Sequence, residues 1–500
     1  MLALFLPLFL VLLLIGVPVF FAMLVAPGAV LFAAGQERDV ALMYNNIYSG
    51  IDTGVLLAIP FFMLAGELMN RGGITERLVS FSQAMIGHLR GGLAQVNILS
   101  SMLFAGMSGS AVADTSALGS MLIPAMEREG YTRRFAAAVT AASSVIGPII
   151  PPSGIMIIYA YVMEVSVAAL FAGGIVPGLL VGLGLMGVTR LLADRHAFPE
   201  ATRLLDADAP RASSVERWLA RIVTVLLVAT VAFLLLPEGG HTVSTALFAL
   251  LSLGLAAAFY ALFRRLASPA LRDVTKRAVL PLLTPLIILG GILGGLATPT
   301  EASALAVAYA LVLGLFVLRT MRPGDLPEVF TRAAIASGVV LLLVGAAMAF
   351  KTVVSLSHAA EIAAEWIIAL TSDPLLLLLL INLLLFVVGM FLDAGPAIII
   401  LGPILAPIFT AMGVDPVHFA MIMSVNLTVG LATPPMGLVL FVASSVSGER
   451  VETISRAILP FLAVEVLVIA LITYLPVISL GIPTALGLVR GADLWGPLFG

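Results

Sequence analysis

The run Gly147-Pro-Ile-Ile-Pro-Pro-Ser-Gly154 interrupts a segment that is otherwise apolar from Phe135 to Tyr161. A proline inside a helix costs about 3 kcal/mol and frees a backbone carbonyl, which hydrocarbon cannot hydrate. Such a break persists in a membrane only where protein or a bound solute covers the unwound backbone. The same break returns as Gly430-Leu-Ala-Thr-Pro-Pro-Met-Gly437. Two broken helices in matching places predict the binding site of a transporter.

The composition fixes the class of protein. Hydrophobic residues make up 61% of the chain and charged residues 11%, and the mean hydropathy is +1.15. Because a soluble globule is only about 45–50% apolar, we predict an all-α polytopic protein whose surroundings are the lipid bilayer. The net charge of −3 and the lack of a basic tract give no indication of a nucleic-acid partner. No cysteine is present to form a disulfide, a thiol nucleophile or a thiolate metal site.

An internal repeat organises the chain. A shift of 283 positions pairs, without a gap, Gly106 with Gly389, Pro124 with Pro407, Gly147 with Gly430, Pro151-Pro152 with Pro434-Pro435, and Pro177 with Pro460. Near the start the shift becomes 281 and pairs Pro18 with Pro299. We predict a first inverted repeat at 1–192, a connecting insert with two extra helices at 193–278, a second inverted repeat at 279–480, and a C-terminal tail at 481–500.

The positions of the arginines predict the topology. Positive charge marks cytoplasmic loops, and the two densest basic stretches, Arg190–Arg221 and Arg264–Arg277, flank the insert. The segment 92–126 has basic residues at both ends, so we predict a re-entrant hairpin that opens to the cytoplasm. Its counterpart 375–412 has none, and we predict that this hairpin opens to the periplasm. Two thin full spans in place of each hairpin would leave the same flanking charges.

An odd number of crossings in each half is required if the repeats are inverted. We expect five in each, from 2–34 (two), 51–69, 135–161 and 167–191, and from 279–318 (two), 333–350, 419–446 and 457–478. The segments 135–161 and 419–446 are the broken helices. With the insert this gives about twelve spans and two hairpins, and it puts both termini in the periplasm. Amphipathic interfacial helices are predicted at Arg71–Arg90 and Lys351–Trp366.

Each predicted hairpin carries one ionisable side chain, Asp114 in the first and Asp393 in the second. A carboxylate at the depth of the bilayer costs several kcal/mol unless it is paired, which favours a functional role. The alternative is that each aspartate caps the second half of its hairpin by accepting hydrogen bonds from the first backbone N–H groups. Glu465 lies deep in the last span, and the sequence indicates no partner for it.

Oxygen ligands at the two breaks suit a small hard cation, while the N-termini of half-helices favour an anionic group. We predict two Na⁺ sites, one from Ser108, Ser110, Gly147 and Ile150, and one from Asp393, Gly430, Thr433 and Met436. A carboxylate pocket between them is predicted from Ser108, Asp114, Ser143, Pro151, Ser153, Asn426 and Pro434. The serines could instead bond to their own helix turn, and the glycines could serve close helix packing. No P-loop is present, so ATP hydrolysis is not predicted. We also predict no enzymatic activity and no organic cofactor.

The chain resembles the large membrane subunit, of the DctM type, of tripartite ATP-independent periplasmic (TRAP) transporters. The resemblance rests on several motifs that occur in the same order along the chain as in that family. They are Gly106-Met-Ser-Gly-Ser-Ala-Val-Ala-Asp114 through Ile123-Pro124, Gly147-Pro-Ile-Ile-Pro-Pro-Ser153, Thr298-Pro-Thr-Glu301-Ala, Gly389-Met-Phe-Leu-Asp393, and Asn426 to Gly437. It covers nearly the whole chain apart from about 195–275. The two apolar runs of this insert are absent from the usual large subunit and look too short to be a fused small subunit.

The resemblance implies a sodium-driven importer of a small organic acid, such as a C4-dicarboxylate or a sialic acid, in the bacterial inner membrane. It implies an elevator movement of the hairpin domain, a periplasmic substrate-binding protein that delivers the acid, and a small four-helix membrane subunit. One alternative is a stand-alone cation-coupled carboxylate permease or ion antiporter, which would work without a binding protein. Another is a membrane scaffold or receptor subunit, which would leave the duplicated breaks unexplained.

Overall fold

The structure is a computed structural model that describes residues 4–196, 269–358, 361–362, 365, 371 and 373–489. Within these residues all regular secondary structure is helical, as the composition predicts. The first half contains α1 Phe5–Leu14, α2 Val19–Ala33, α3 Glu37–Ile51, a 3-10 turn Gly54–Leu57, α4 Ala58–Arg71, α5 Ile74–Ile86, α6 Gly92–Ser108, α7 Ala111–Arg128, α8 Arg133–Ser144, α9 Gly154–Met163 and α10 Val167–His196.

The second half repeats this order of elements. It contains α11 Pro269–Leu293, α12 Pro299–Val312, a π turn Leu313–Val317, a 3-10 turn Pro323–Asp325, α13 Leu326–Leu356, α14 Pro374–Phe391, α15 Ala394–Ala411, α16 Pro416–Gly430, α17 Leu438–Ser447, α18 Val451–Tyr474 and α19 Val477–Ala485. Shifted by 283 positions, the first residues of α6 to α10 fall within one residue of the starts of α14 to α18. The proline pairs fall in the gaps between α8 and α9 and between α16 and α17, so each pair interrupts a helix.

The two halves pack on each other in exchanged pairs. Helix α7 contacts α17 while its counterpart α15 contacts α9, and α8 contacts α18 while α16 contacts α10. Likewise α4 contacts α12 while α13 contacts α2. Such exchange is what a two-fold relation between halves produces, so it supports the repeat that the sequence predicts.

Seven helical stretches of the described residues are long and apolar enough to cross a membrane: 54–71, 167–193, 271–293, 299–317, 323–356, 394–411 and 451–474. Helix α16 has only 15 residues and extends roughly 22 Å, short of the ~30 Å hydrocarbon core. It needs a second segment to complete a crossing, as expected for one half of a broken helix.

The scaffold around α3, α4 and α13 differs from the prediction. Helix α3 was not predicted, and α13 is continuous from Leu326 to Leu356, so the interfacial helix predicted to begin at Lys351 is wrong at its start. In the first half Asp52-Thr53-Gly54 separates α3 from the next turn, whereas the corresponding residues of α13 are Ile335-Ala336-Ser337. Without the glycine and the aspartate, the second copy continues as one helix.

The predicted insert has helical borders, because α10 ends at His196 and α11 begins at Pro269. The two extra helices predicted inside it lie outside the described residues. Helix α19 ends at Ala485, so the predicted tail begins within a helix, and residues 490–500 also lie outside the described part.

Polar contacts join the scaffold helices to one another. Asn46 of α3 donates to Thr352 Oγ1 of α13 at 2.8 Å, and Thr300 of α12 donates to the Gly54 carbonyl at 2.7 Å. These bonds connect the first half to the second. The hairpins α6–α7 and α14–α15 and the broken helices α8–α9 and α16–α17 form the other packed unit, which contains the candidate site.

Candidate functional site

The tip of the first hairpin lies against the break of its own half. Gly109 has φ +60°, and a Cβ on it would come within 2.9 Å of the Pro152 carbonyl oxygen and 3.4 Å of the Gly154 nitrogen. Only glycine combines that backbone conformation with this close approach. Contact between the tip and an unwound backbone supports a re-entrant hairpin over two full spans, since a full span would put the turn at the membrane surface.

Asp114 lies in the first turn of α7 and is fully buried. Its Oδ1 accepts a hydrogen bond from Ser108, and its Oδ2 has no hydrogen-bond partner among the described residues. A Cβ on Gly147 would overlap Oδ2 and come within 3.2 Å of Cγ. The carboxylate therefore lies directly on the unwound backbone of the break. This arrangement groups Asp114 with Ser108 and Gly147, residues that the sequence analysis gave to the first Na⁺ site.

A buried ladder of hydrogen bonds ties the hairpin to helix α8. Asn97 donates to Thr140 Oγ1 at 2.6 Å, Ser101 donates to Ser143 at 3.0 Å, and Thr115 donates to Ser144 at 2.7 Å. Of these residues the sequence analysis named only Ser143. The spacing of Asn97 and Ser101, four residues apart on one face of a helix, is a signal that could have indicated the others.

Two predicted site serines act as helix caps. Ser110 Oγ accepts from the Ala113 nitrogen at the start of α7, and Ser153 Oγ accepts from the Met156 nitrogen at the start of α9, both at 3.4 Å. The hydroxyls thus satisfy donors that a helix leaves free at its first turn. Pro151 and Ser153 are buried, so the first break is closed to solvent.

The second hairpin tip is arranged differently. Asp393 precedes α15 as its N-cap, accepts from the Ala394 nitrogen at 2.8 Å, and is exposed. The shift of 283 positions pairs Asp393 with Ser110, not with Asp114, whose counterpart is Ala397. The structure therefore supports the capping interpretation for Asp393 and gives a buried carboxylate only to the first tip.

The remaining residues predicted for the second Na⁺ site make local contacts. Thr433 Oγ1 donates to the Val429 carbonyl at 2.9 Å, within its own turn. Gly430 packs on Gly389, since a Cβ on Gly430 would come within 2.6 Å of the Gly389 carbonyl carbon. Met436 is 54% exposed. These contacts match the packing and back-bonding alternatives that the sequence left open.

Asn426 belongs to a second buried polar cluster. Its Nδ2 donates to Asn382 Oδ1 at 2.6 Å and to the Ile422 carbonyl at 2.7 Å, and Thr473 donates to Asn382 Oδ1 at 3.1 Å. The cluster joins α14, α16 and α18. Asn382 and Thr473 were not predicted, because their approach depends on packing between segments far apart in sequence.

A cleft of about 1400 Å³ opens beside the second break. Its lining includes Pro434 and Pro435. Three exposed cations also line it, Arg134 in the first turn of α8 and Arg450 and Arg456 at the start of α18, against one exposed carboxylate, Glu452. Pro435 is exposed whereas its counterpart Pro152 is buried. The second break is therefore open to an electropositive cleft, while the first is sealed by its hairpin tip.

The family model described as the DctM component of the tripartite ATP-independent periplasmic transporter matches residues 6–478. The chain belongs to this family. It is accordingly a membrane-embedded transporter permease and not an enzyme, which confirms the resemblance stated on the sequence motifs. The motifs at the two breaks and the two hairpin tips all lie inside the matched region.

Curated relatives agree with the family. The chain is 35% identical over 458 residues to the C4-dicarboxylate TRAP transporter large permease protein DctM of Pseudomonas aeruginosa, covering 92% of each protein. It is 35% identical over 468 residues to the sialic acid TRAP transporter large permease protein SiaM of Vibrio cholerae, covering 94% of this chain and 95% of that protein. The isethionate TRAP transporter permease protein DctMQ of Oleidesulfovibrio alaskensis is 36% identical, and 64% of its length is covered. These relatives support secondary transport of organic acids.

Among solved structures, the YdaH transporter of Alcanivorax borkumensis is similar in fold. The TM-score is 0.53 at 19% identity, and the match covers 91% of this chain and 90% of that one. At this identity the likeness concerns architecture alone, and it agrees with a helical transporter fold.

Proposed function

We propose that the chain is the large permease subunit of a sodium-driven importer of a small organic acid. The observation that carries this proposal is the buried Asp114 carboxylate, whose Oδ2 lies on Gly147 without a hydrogen-bond partner among the described residues. An unpaired carboxylate at this depth costs several kcal/mol, and a bound cation would offset that cost. The ion would be Na⁺, held by oxygen atoms that the unwound backbone and Ser108 supply.

The first Na⁺ site in this proposal comprises Ser108, Ser110, Gly147 and Ile150, with Asp114 added because of its position on Gly147. The second Na⁺ site in the proposal keeps Asp393, Gly430, Thr433 and Met436. The contacts described for Asp393 and Thr433 are hydrogen bonds within their own turns.

The organic acid would bind between the breaks and leave through the cleft. The N-terminus of α17, which follows Pro434 and Pro435, favours a negative group, and the three cleft arginines add positive charge. Arg134 follows the hairpin end that the arginine distribution puts in the cytoplasm. The conformation would therefore face inward, with the release path open and the first break sealed. Ser143, Ser153 and Asn426 remain candidates for the pocket wall.

An elevator movement would slide the hairpin unit along the scaffold. Polar contacts cross that boundary at the end of α9. Lys351 of α13 donates to the Val162 carbonyl at 2.9 Å and pairs with Glu164 at 3.0 Å. Tyr161 donates to the Gly50 carbonyl at 2.7 Å. These polar bonds would have to break when the hairpin unit slides along the scaffold, and there are few of them among the described residues.

We also propose that the subunit works in the inner membrane with both termini periplasmic. Its partners would be a periplasmic substrate-binding protein and a small membrane subunit. The relatives named for C4-dicarboxylate, sialic acid and isethionate indicate the substrate class, a small organic acid.

The test is uptake into proteoliposomes that contain the complex, with its binding protein outside and an imposed Na⁺ gradient. Labelled succinate, sialic acid and isethionate are each offered. Asp114→Asn keeps the bond to Ser108 and removes the charge, so it should weaken the dependence of uptake on Na⁺. Glu76→Gln on α5 removes an exposed carboxylate and serves as the control. Unchanged sodium dependence in Asp114→Asn contradicts the site, and uptake without any binding protein would favour a stand-alone permease.

A further inference from the structure

Glu465 lies in the middle of α18 and is 0% exposed. Neither Oε1 nor Oε2 has a hydrogen-bond partner among the described residues. An ionised carboxylate without a partner is far more costly to bury than the neutral acid. The Na⁺ sites and the cleft do not use this residue.

No cation among the described residues donates to Glu465. Helices α8, α10, α16, α17 and α19 pack on α18, and α14 bonds to its end through Asn382. Helices α14, α17 and α19 contain no ionisable residue. The ionisable residues of the others lie at helix ends: Arg133, which pairs with Glu127, Arg134, which lines the cleft, 190–196 at the end of α10, and His418 at the start of α16. His418 is engaged with Ser479 at 2.7 Å and with the Thr473 carbonyl at 3.2 Å. The surroundings therefore favour a neutral carboxylic acid.

Apolar side chains lie one helical turn from Glu465 in both directions along α18. Phe461, Leu462, Val468 and Ile469 are all buried. The same face of α18 therefore offers the carboxyl group no polar side chain within a turn.

We propose that Glu465 is a proton-binding site of this transporter. It holds a proton as a neutral acid in this conformation. The transporter would then bind a proton in addition to the proposed sodium ions, at a residue separate from both sodium sites. The proton is a ligand here, taken up from water by the carboxylate and returned to water.

The test is infrared spectroscopy of the purified complex at neutral pH, without substrate or a sodium gradient. The carbonyl stretch of a neutral carboxylic acid should be present in the wild type and in Glu452→Gln, which removes an exposed carboxylate from the same helix. It should be lost in Glu465→Gln. If that variant does not fold, Glu465→Asp should move the band instead. A difference spectrum without an acid band would show that Glu465 is ionised and would overturn the proposal.

Transfer of the complex into D₂O tests the exchange. The acid band should shift as deuterium replaces the proton, because a binding site exchanges its proton with water. A band that never shifts identifies a sealed structural acid and overturns the assignment of a proton-binding site. Because neither readout involves transport, failure of this proposal is distinguishable from failure of sodium-driven uptake.

Discussion

Substitution of Gly147 by alanine tests the central contact of the site. The new Cβ would overlap Asp114 Oδ2 and would lie 3.2 Å from both Asp114 Cγ and the Ser144 carbonyl oxygen. Asp114 is held by Ser108 and surrounded by protein, so it cannot withdraw without breaking that bond. Overpacking of this kind costs about 1–3 kcal/mol in the free energy of unfolding. It would also occupy the space that the proposed Na⁺ ion requires.

The assay is thermal unfolding of the purified complex across a series of sodium concentrations. A ligand at 100 times its dissociation constant stabilises the folded state by about 2.7 kcal/mol, so the wild type should gain in melting temperature with sodium. Gly147→Ala should unfold at a lower temperature without sodium and should lose the part of the gain that the first site contributes. Gly154→Ala, at the other end of the same break, is the control, because its Cβ would meet nothing within 4 Å. A full sodium-dependent gain in Gly147→Ala would refute the assignment of Asp114 to the ion.

Three further substitutions separate the other parts of the mechanism. Lys351→Met removes the pair with Glu164 across the proposed sliding interface, and a change of about 1 kcal/mol alters the populations of the inward and outward conformations roughly fivefold. The labelling rate of a cysteine introduced in the cleft of this cysteine-free chain should change by that factor. An equal labelling rate contradicts the proposed boundary. Gly430→Ala places a Cβ within 2.6 Å of the Gly389 carbonyl carbon and should lower the free energy of unfolding by about 1–3 kcal/mol in denaturant titrations; a neutral result would mean that the helices can separate there. Arg450→Gln should raise the KM for uptake several-fold while the sodium dependence is kept, and an unchanged KM would exclude this arginine from the acid's path.

The breaks and the hairpins could be predicted because their causes are local. Pro151-Pro152 and Pro434-Pro435 remove backbone donors wherever the chain folds, so the helices end near them regardless of the packing. The repeated spacing of glycine and proline then places the second copy of each element. The sequence analysis also grouped Ser108 and Ser110 at the first tip with Gly147 and Ile150 at the first break, and the contact of Gly109 with Pro152 agrees with that grouping.

The roles of individual polar residues could not be predicted in the same way. The sequence shows one aspartate in each hairpin, but the cap position falls on Ser110 in one half and on Asp393 in the other. Only the folded chain shows that Asp114 is a turn further on and faces Gly147. The sequence also did not indicate the partners of Asn426. Asn382 lies 44 residues before Asn426, and Thr473 lies 91 residues after Asn382.

The difference between the two halves bears on how the transporter would work. If the halves exchange arrangements during transport, the second tip would close over Pro434 and Pro435 as Gly109 closes over Pro152. The closed second site would still lack a buried carboxylate, since Ala397 stands where Asp114 stands. An ion there would depend on carbonyls, hydroxyls and the exposed Asp393, and its hold would be weaker. The two sodium sites should therefore differ in affinity, with the first filling before the second in a titration of sodium binding, and Asp114→Asn should remove the tighter of the two phases.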